Sequence, residues 1–170
     1  MPYSKFLGLS LVVLSAVLFL SALPSAAHAD TYRWSTPVGL WAPIDKTTGK
    51  PLGLIAIYED HGLYYGRIEP TSAHPHGAAR CTACTGSRHN QPMNGLVLIR
   101  DLHYRNGRYV GGNILDPRTG RVYDCELRLI DRGRKLKMRG YIGIPLFGRS
   151  QVWWRIEGTP QRGLRLVARP

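Results

Sequence analysis

The sequence predicts an all-β fold: a small up-and-down antiparallel barrel of about eight strands, preceded by a cleaved signal peptide. Helical periodicity is nearly absent after the first 29 residues. In its place, short apolar or alternating runs recur between Gly, Pro, Asn and Asp turn signals. Short turns make successive strands antiparallel neighbours, and such a meander exposes two edges unless the sheet closes on itself. About eight strands closes into a barrel with room for side chains or one small ligand, which favours a barrel over a sandwich.

Taken in order, residues 1–29 read as an export signal. Lys5 supplies the positive start, Phe6 to Leu23 is almost wholly apolar, and Ala27-His28-Ala29 is a small-x-small cleavage site. Pro24 follows the apolar run at once, which argues against a membrane anchor. The first cysteine is Cys81, so no lipoprotein cysteine lies near the cleavage point. The expected product is a periplasmic or secreted domain spanning 30–170, long enough for a core without disulfide staples.

The expected strands are Val38 to Trp41, Leu54 to Glu59, Leu63 to Glu69, Leu96 to Asp101, Tyr109 to Leu115, Arg121 to Ile130, Lys135 to Ile142 and Ser150 to Ile156, with a weaker run from Leu164 to Ala168. Asp60-His61-Gly62, Asn106-Gly107, Asp116 to Gly120 and Asp131-Arg132-Gly133 supply turn residues between them. The stretch 70–94 has no strand or helix pattern, and a loop that long inside a compact domain is usually functional or mobile.

Parity along the strands separates the faces. Leu136, Met138, Gly140 and Ile142 share an apolar face opposite Lys135, Lys137, Arg139 and Tyr141. Tyr123, Cys125, Leu127 and Leu129 lie together, so Cys125 looks inward. In the last long strand, Gln151, Trp153 and Arg155 oppose Val152, Trp154 and Ile156, and parity leaves open which set faces inside.

Charge raises the question of partners. The chain carries 23 Lys and Arg against 11 Asp and Glu. Lys5 is the one charged residue of the signal, so the exported domain keeps a net charge of +11. For an exported barrel, nucleic acid is a poor fit; anionic lipid head groups, lipopolysaccharide phosphates or an acidic ligand suit both charge and compartment.

Two longer segments carry a resemblance. Gly111-Gly112-Asn113-Ile114-Leu115-Asp116-Pro117-Arg118-Thr119-Gly120-Arg121-Val122-Tyr123-Asp124-Cys125 is followed by Met138-Arg139-Gly140-Tyr141-Ile142-Gly143-Ile144-Pro145-Leu146-Phe147-Gly148-Arg149-Ser150-Gln151-Val152-Trp153-Trp154-Arg155. Together with Gly39-Leu40-Trp41 and Tyr65-Gly66-Arg67-Ile68, these resemble the exported bacterial "domain of unknown function 2147" over essentially the whole exported chain. The resemblance implies a small lipocalin-like barrel outside the cytoplasm with no established reaction. Gly39-x-Trp41 looks like the lipocalin first-strand signature, and the likeness implies that Arg155 covers that Trp through a cation–π contact. The plain reading of the pair is closure of the barrel bottom; the functional one is a ligand contact. The chain departs from the pattern in its middle-loop cysteines, in Trp154 and in the lack of a readable C-terminal helix.

The candidate site residues follow. Trp41, Tyr123, Arg139, Tyr141, Arg149, Trp153 and Arg155 are candidates for a partly polar pocket, with arginines holding a carboxylate or phosphate and aromatics packing an apolar tail. The competing reading is surface arginines lying over aromatic rings. Cys81-Thr82-Ala83-Cys84 suggests a structural disulfide in an oxidising compartment, with Cys125 left free or as an alternative partner. A metal bound by His74, His76, Cys81, Cys84 and His89, or a redox-active pair, are the alternatives. No Gly-x-Ser-x-Gly elbow or His-Glu-x-x-His helix is present and no cofactor is called for, so the expectation is not an enzyme. The leading expectation is a barrel binding a small amphipathic or anionic hydrophobic ligand. The alternatives are an envelope interaction protein with a filled barrel and basic exterior, and a thiol or metal protein acting through the loop.

Overall fold

A computed structural model describes residues 34–71, 79–157 and 165–166. Residues 1–29, on which the signal-peptide expectation falls, and His74 and His76 lie outside the described residues. Strands β1 (Gly39–Pro43), β2 (Leu54–Asp60), β3 (Leu63–Glu69), β4 (Val97–Arg105), β5 (Arg108–Leu115), β6 (Val122–Ile130), β7 (Lys135–Tyr141) and β8 (Arg149–Glu157) pair antiparallel in sequence order. β1 also pairs with β8, through Leu40↔Ile156 and Trp41↔Arg155. The sheet is therefore a closed eight-strand up-and-down barrel, as its turns and strand count predict. The weak ninth run appears as β9 (Arg165–Leu166), which pairs with the end of β8 at Ile156 and Glu157.

The β4–β5 turn shows why this sequence makes hairpins. Asn106 (φ 49°) and Gly107 (φ 77°) both take left-handed backbone, the two-residue turn whose twist matches the flanking strands. Alternation then sets the wall. Leu136 and Leu127 are fully buried on β7 and β6, and Cys125 points inward as parity predicts. On β8 the undecided face resolves with Trp153 and Arg155 inside. Ile156, on the outer parity, is buried in a second small cluster with Ala42 and Leu54.

Three expectations change. β4 runs to Arg105 rather than stopping at Asp101, because a bulge with Asp101 at φ 62° breaks the alternation that marks a strand. Ile142 is not on the inner face of β7: the strand ends at Tyr141 and Ile142 stands exposed in the following loop. The middle loop is built rather than patternless. It holds a 3-10 turn at Gly86–Arg88, a bridge between Arg80 and Pro92, and backbone bonds from Cys81 to Gln91 and from Asn90 to Cys81, both 2.9 Å.

The meander places the turns alternately at two ends. The β2–β3, β4–β5 and β6–β7 turns share one end with Trp34–Pro37, and the β1–β2, β3–β4, β5–β6 and β7–β8 loops share the other. These are the closed end and the open end below.

Candidate functional site

The closed end is a lock built around Arg155. Its Nε donates to the Gly133 carbonyl at 2.8 Å, Nη1 to Val38 at 2.9 Å and Nη2 to Thr36 at 2.7 Å. The guanidinium lies 4.2 Å from the Trp41 ring centre and 5.5 Å from that of Trp34. Trp41 is itself pinned, its indole Nε1 donating to the Pro37 carbonyl at 2.7 Å. Strand β8, the segment before β1 and the β6–β7 turn thus converge on one side chain. The pair Trp41 and Arg155 closes the barrel bottom, the plain reading of the two residues.

Immediately above this lock the interior is packed. Trp41, Leu102, Cys125, Leu127 and Leu136 leave no surface that a water molecule can touch, so no water-sized void adjoins them. Trp153 is buried too, with its Nε1 donating to Gln151 Oε1 at 3.0 Å. Two open depressions of about 560 and 430 Å³ lie at the closed-end turns, one against Trp34, Ser35, Arg132 and Arg134, the other against Arg105, Asn106, Arg108 and Val110.

The remaining candidates do not join Trp41, Trp153 and Arg155 in one pocket. Tyr123 is half-buried at the open end, where its Cβ lies near the position a Gly140 side chain would occupy. Arg149, the cross-strand partner of Gly140, is exposed at the rim. Tyr141 and Arg139 sit on the outer parity: Tyr141 pairs with Asp124, and burial followed by the charges of Asp124 and Glu126 raises its phenol pKa. Arg139 is occupied in holding the β7–β8 loop, donating from Nε to Pro145 O at 2.6 Å, from Nη2 to Leu146 O at 3.0 Å and from Nη1 to Ser150 Oγ at 3.0 Å.

Cys81 and Cys84 form a disulfide, which engages both thiols of the metal and redox readings. The pair is buried, Cys81 Sγ rests 3.4 Å from the Pro117 carbonyl oxygen, and His89 Nδ1 is 2.9 Å from the Cys84 carbonyl oxygen. The disulfide therefore closes a small ring within the middle loop, and that ring packs against the β5–β6 turn at the open end.

Cys125 is the free thiol, and burial, then Asp124 and Glu126, push its pKa up to about 12. A thiol favoured in its neutral form adds stability that is complete below the ordinary thiol range near pH 9 and is lost as pH climbs towards about 12. Unfolding free energies from urea denaturation are expected to fall as pH rises from 9 to 11, with a slope from this group alone that approaches about 1.4 kcal/mol per pH unit. Cys125→Ala, less stable at pH 8 for its lost volume, is expected to show a flatter profile; an unchanged slope would refute the assignment.

Sequence reasoning missed the loop that Arg139 holds. Ile142, Ile144, Leu146 and Phe147 are all exposed there. The signal was present as an apolar run broken by Gly143, Pro145 and Gly148, residues that belong to turns and not to a buried strand.

Comparison with known proteins agrees with the barrel. A similar solved structure is protein HP1028 from the human pathogen Helicobacter pylori, described as belonging to the lipocalin family. The two are 18% identical, with a TM-score of 0.61 over 71% of this chain and 82% of that one. At that identity the likeness shows a lipocalin-like fold. No curated protein matches the chain. A family model described as "uncharacterized protein conserved in bacteria" matches residues 39–155, from the first-strand glycine to the arginine of the lock. The chain belongs to this family, DUF2147.

Proposed function

We propose that the protein is an exported, non-enzymatic binding protein of the bacterial envelope, a filled lipocalin-like barrel that engages anionic amphiphiles at its surface and rim. The observation that carries this reading is the packed interior. A carrier pocket for a drug-sized ligand takes roughly 300 Å³ or more, and the fully buried side chains of β1, β4, β6 and β7 adjoin no water-sized void. The net charge of +11 after the signal supports an anionic counterpart. Sedimentation with phosphatidylglycerol vesicles is expected to bring down the protein lacking residues 1–29, with binding falling as salt rises and absent from phosphatidylcholine vesicles. Salt-insensitive binding, or none, would overturn the reading.

A second reading, one small amphiphile held at the mouth, has Tyr123, Met138 and Gln151 in its favour, since all three are on the inner parity and only half-buried. A lipid found one-to-one with vesicle-free protein by native mass spectrometry would establish it in place of the first.

A further inference from the structure

The exposed apolar side chains are not spread evenly. Among the described residues the large exposed ones are Leu52, Tyr104, Val122, Ile142, Ile144, Leu146 and Phe147. All but Tyr104 belong to the open end: Leu52 to the β1–β2 loop, Val122 to the first position of β6, and the other four to the β7–β8 loop. Within that loop Ile142 is 73% exposed, Ile144 53%, Leu146 76% and Phe147 79%. Single exposed apolar residues are ordinary, whereas four in six consecutive positions form a patch of the kind that marks an interaction site.

The patch is held in place. Besides the three Arg139 bonds, a 3-10 turn at Pro145–Phe147 closes through Gly148 N to Pro145 O at 3.0 Å, and Ile144 N donates to Ile142 O at 3.0 Å. The backbone that displays these side chains is therefore fixed before any partner arrives, which lowers the ordering cost of binding.

Charge says what the partner is. The open end also carries exposed Lys46, Lys50, Arg80, Arg118, Arg121 and Arg149. The two carboxylates of its loops, Asp45 and Asp116, are engaged in their own turns: Asp45 Oδ1 accepts from Thr48 N at 2.7 Å, and Asp116 Oδ1 from Arg118 N at 3.0 Å and, in an ion pair, from Arg118 Nε at 3.4 Å, so Arg118 is already partly neutralised. An apolar tip surrounded by cations suits an interface with acyl chains beneath a layer of negative head groups.

We propose that the β7–β8 loop is the membrane-insertion element of the protein, burying Ile142, Ile144, Leu146 and Phe147 in the outer layer of an anionic phospholipid bilayer while the surrounding cations meet its phosphates. The proposal rests on the envelope-surface reading above and names the part of the molecule that performs it. The barrel stands with its open end on the bilayer and Tyr104 pointing away.

Vesicles of phosphatidylglycerol and phosphatidylcholine test it, using the chain without residues 1–29. Leu146→Ser with Phe147→Ser is expected to weaken partitioning about a hundredfold, and Tyr104→Ser to leave it unchanged. Because Leu146 and Phe147 are exposed, the loop variant should keep the thermal midpoint of the wild type, which checks that it folds; Tyr104→Ser, which loses the cross-strand ring contact with Tyr109, should lower the midpoint slightly and still bind vesicles as the wild type does. In a parallel pair, brominated acyl chains should quench Phe147→Trp more strongly than Tyr104→Trp. If the wild type binds no vesicles, the envelope-surface reading falls and this proposal with it. If wild type and loop variant bind anionic vesicles equally, that reading stands and the insertion element is overturned. A dimer in solution that the loop variant splits into monomers, with no loss of vesicle binding, would likewise overturn it and assign the loop to self-association.

Discussion

Arg155→Ala is expected to lower the unfolding free energy by about 4 kcal/mol, among the largest losses from one substitution in this barrel. The change leaves the carbonyls of Gly133, Val38 and Thr36 without the donor that now satisfies them, at about 1–3 kcal/mol each when buried, and opens a space beside the Trp41 ring. Arg155→Lys should recover less than half, because an ammonium cannot present three donors in fixed directions to three carbonyls while lying over an indole. Urea denaturation checks both. A loss of less than about 1 kcal/mol for the alanine variant would mean that the lock is ornamental to stability.

Gly112→Ala is expected to cost about 3 kcal/mol, more than Gly111→Ala beside it. A Cβ on Gly112 would overlap the main chain of β4, at the Arg100 carbonyl oxygen and 2.7 Å from Leu102 N. Those are backbone atoms of a bulged strand, so relief requires moving β4 away from β5. At Gly111 the left-handed φ of 80° costs about 1–2 kcal/mol, and the obstructing atoms belong to the exposed His103 ring, which can swing aside. Equal losses at the two positions, by chemical denaturation, would refute this account of the Gly-Gly pair.

Much of the barrel was legible because a half-buried strand declares itself by alternation. Lys135 to Tyr141 shows this most clearly, with lysines and leucine on opposite parities and opposite faces. The bulge at Asp101 hid the second half of β4, since a positive φ inserts a residue into the count on which parity depends. The facing of β8 could not be read because it runs against simple hydropathy: Arg155 goes inside, where carbonyls receive its protons, and Ile156 goes to the outer parity, where Ala42 and Leu54 cover it. The site was less legible still. Arg139 matches a pocket arginine by type and position, yet its donors are directed to Pro145, Leu146 and Ser150, which only three-dimensional placement reveals. Ile142 read as the last strand residue, whereas the chain turns away from the wall after Tyr141.

The pairing of β1 with β8 also bears on the order of events as the chain folds. Leu40 meets Ile156, so the seam of the barrel joins the two most distant strands of the wall. Seven pairs of successive strands can assemble as the chain emerges, but the last ladder waits for nearly the whole polypeptide, and long-range pairing of this kind slows folding. Until then β1 and β8 are open edges able to accept a strand from another molecule. Arg155 lies on that seam and reaches across it to Val38 and Thr36, so the residue that locks the finished barrel also withdraws its last two edges from aggregation.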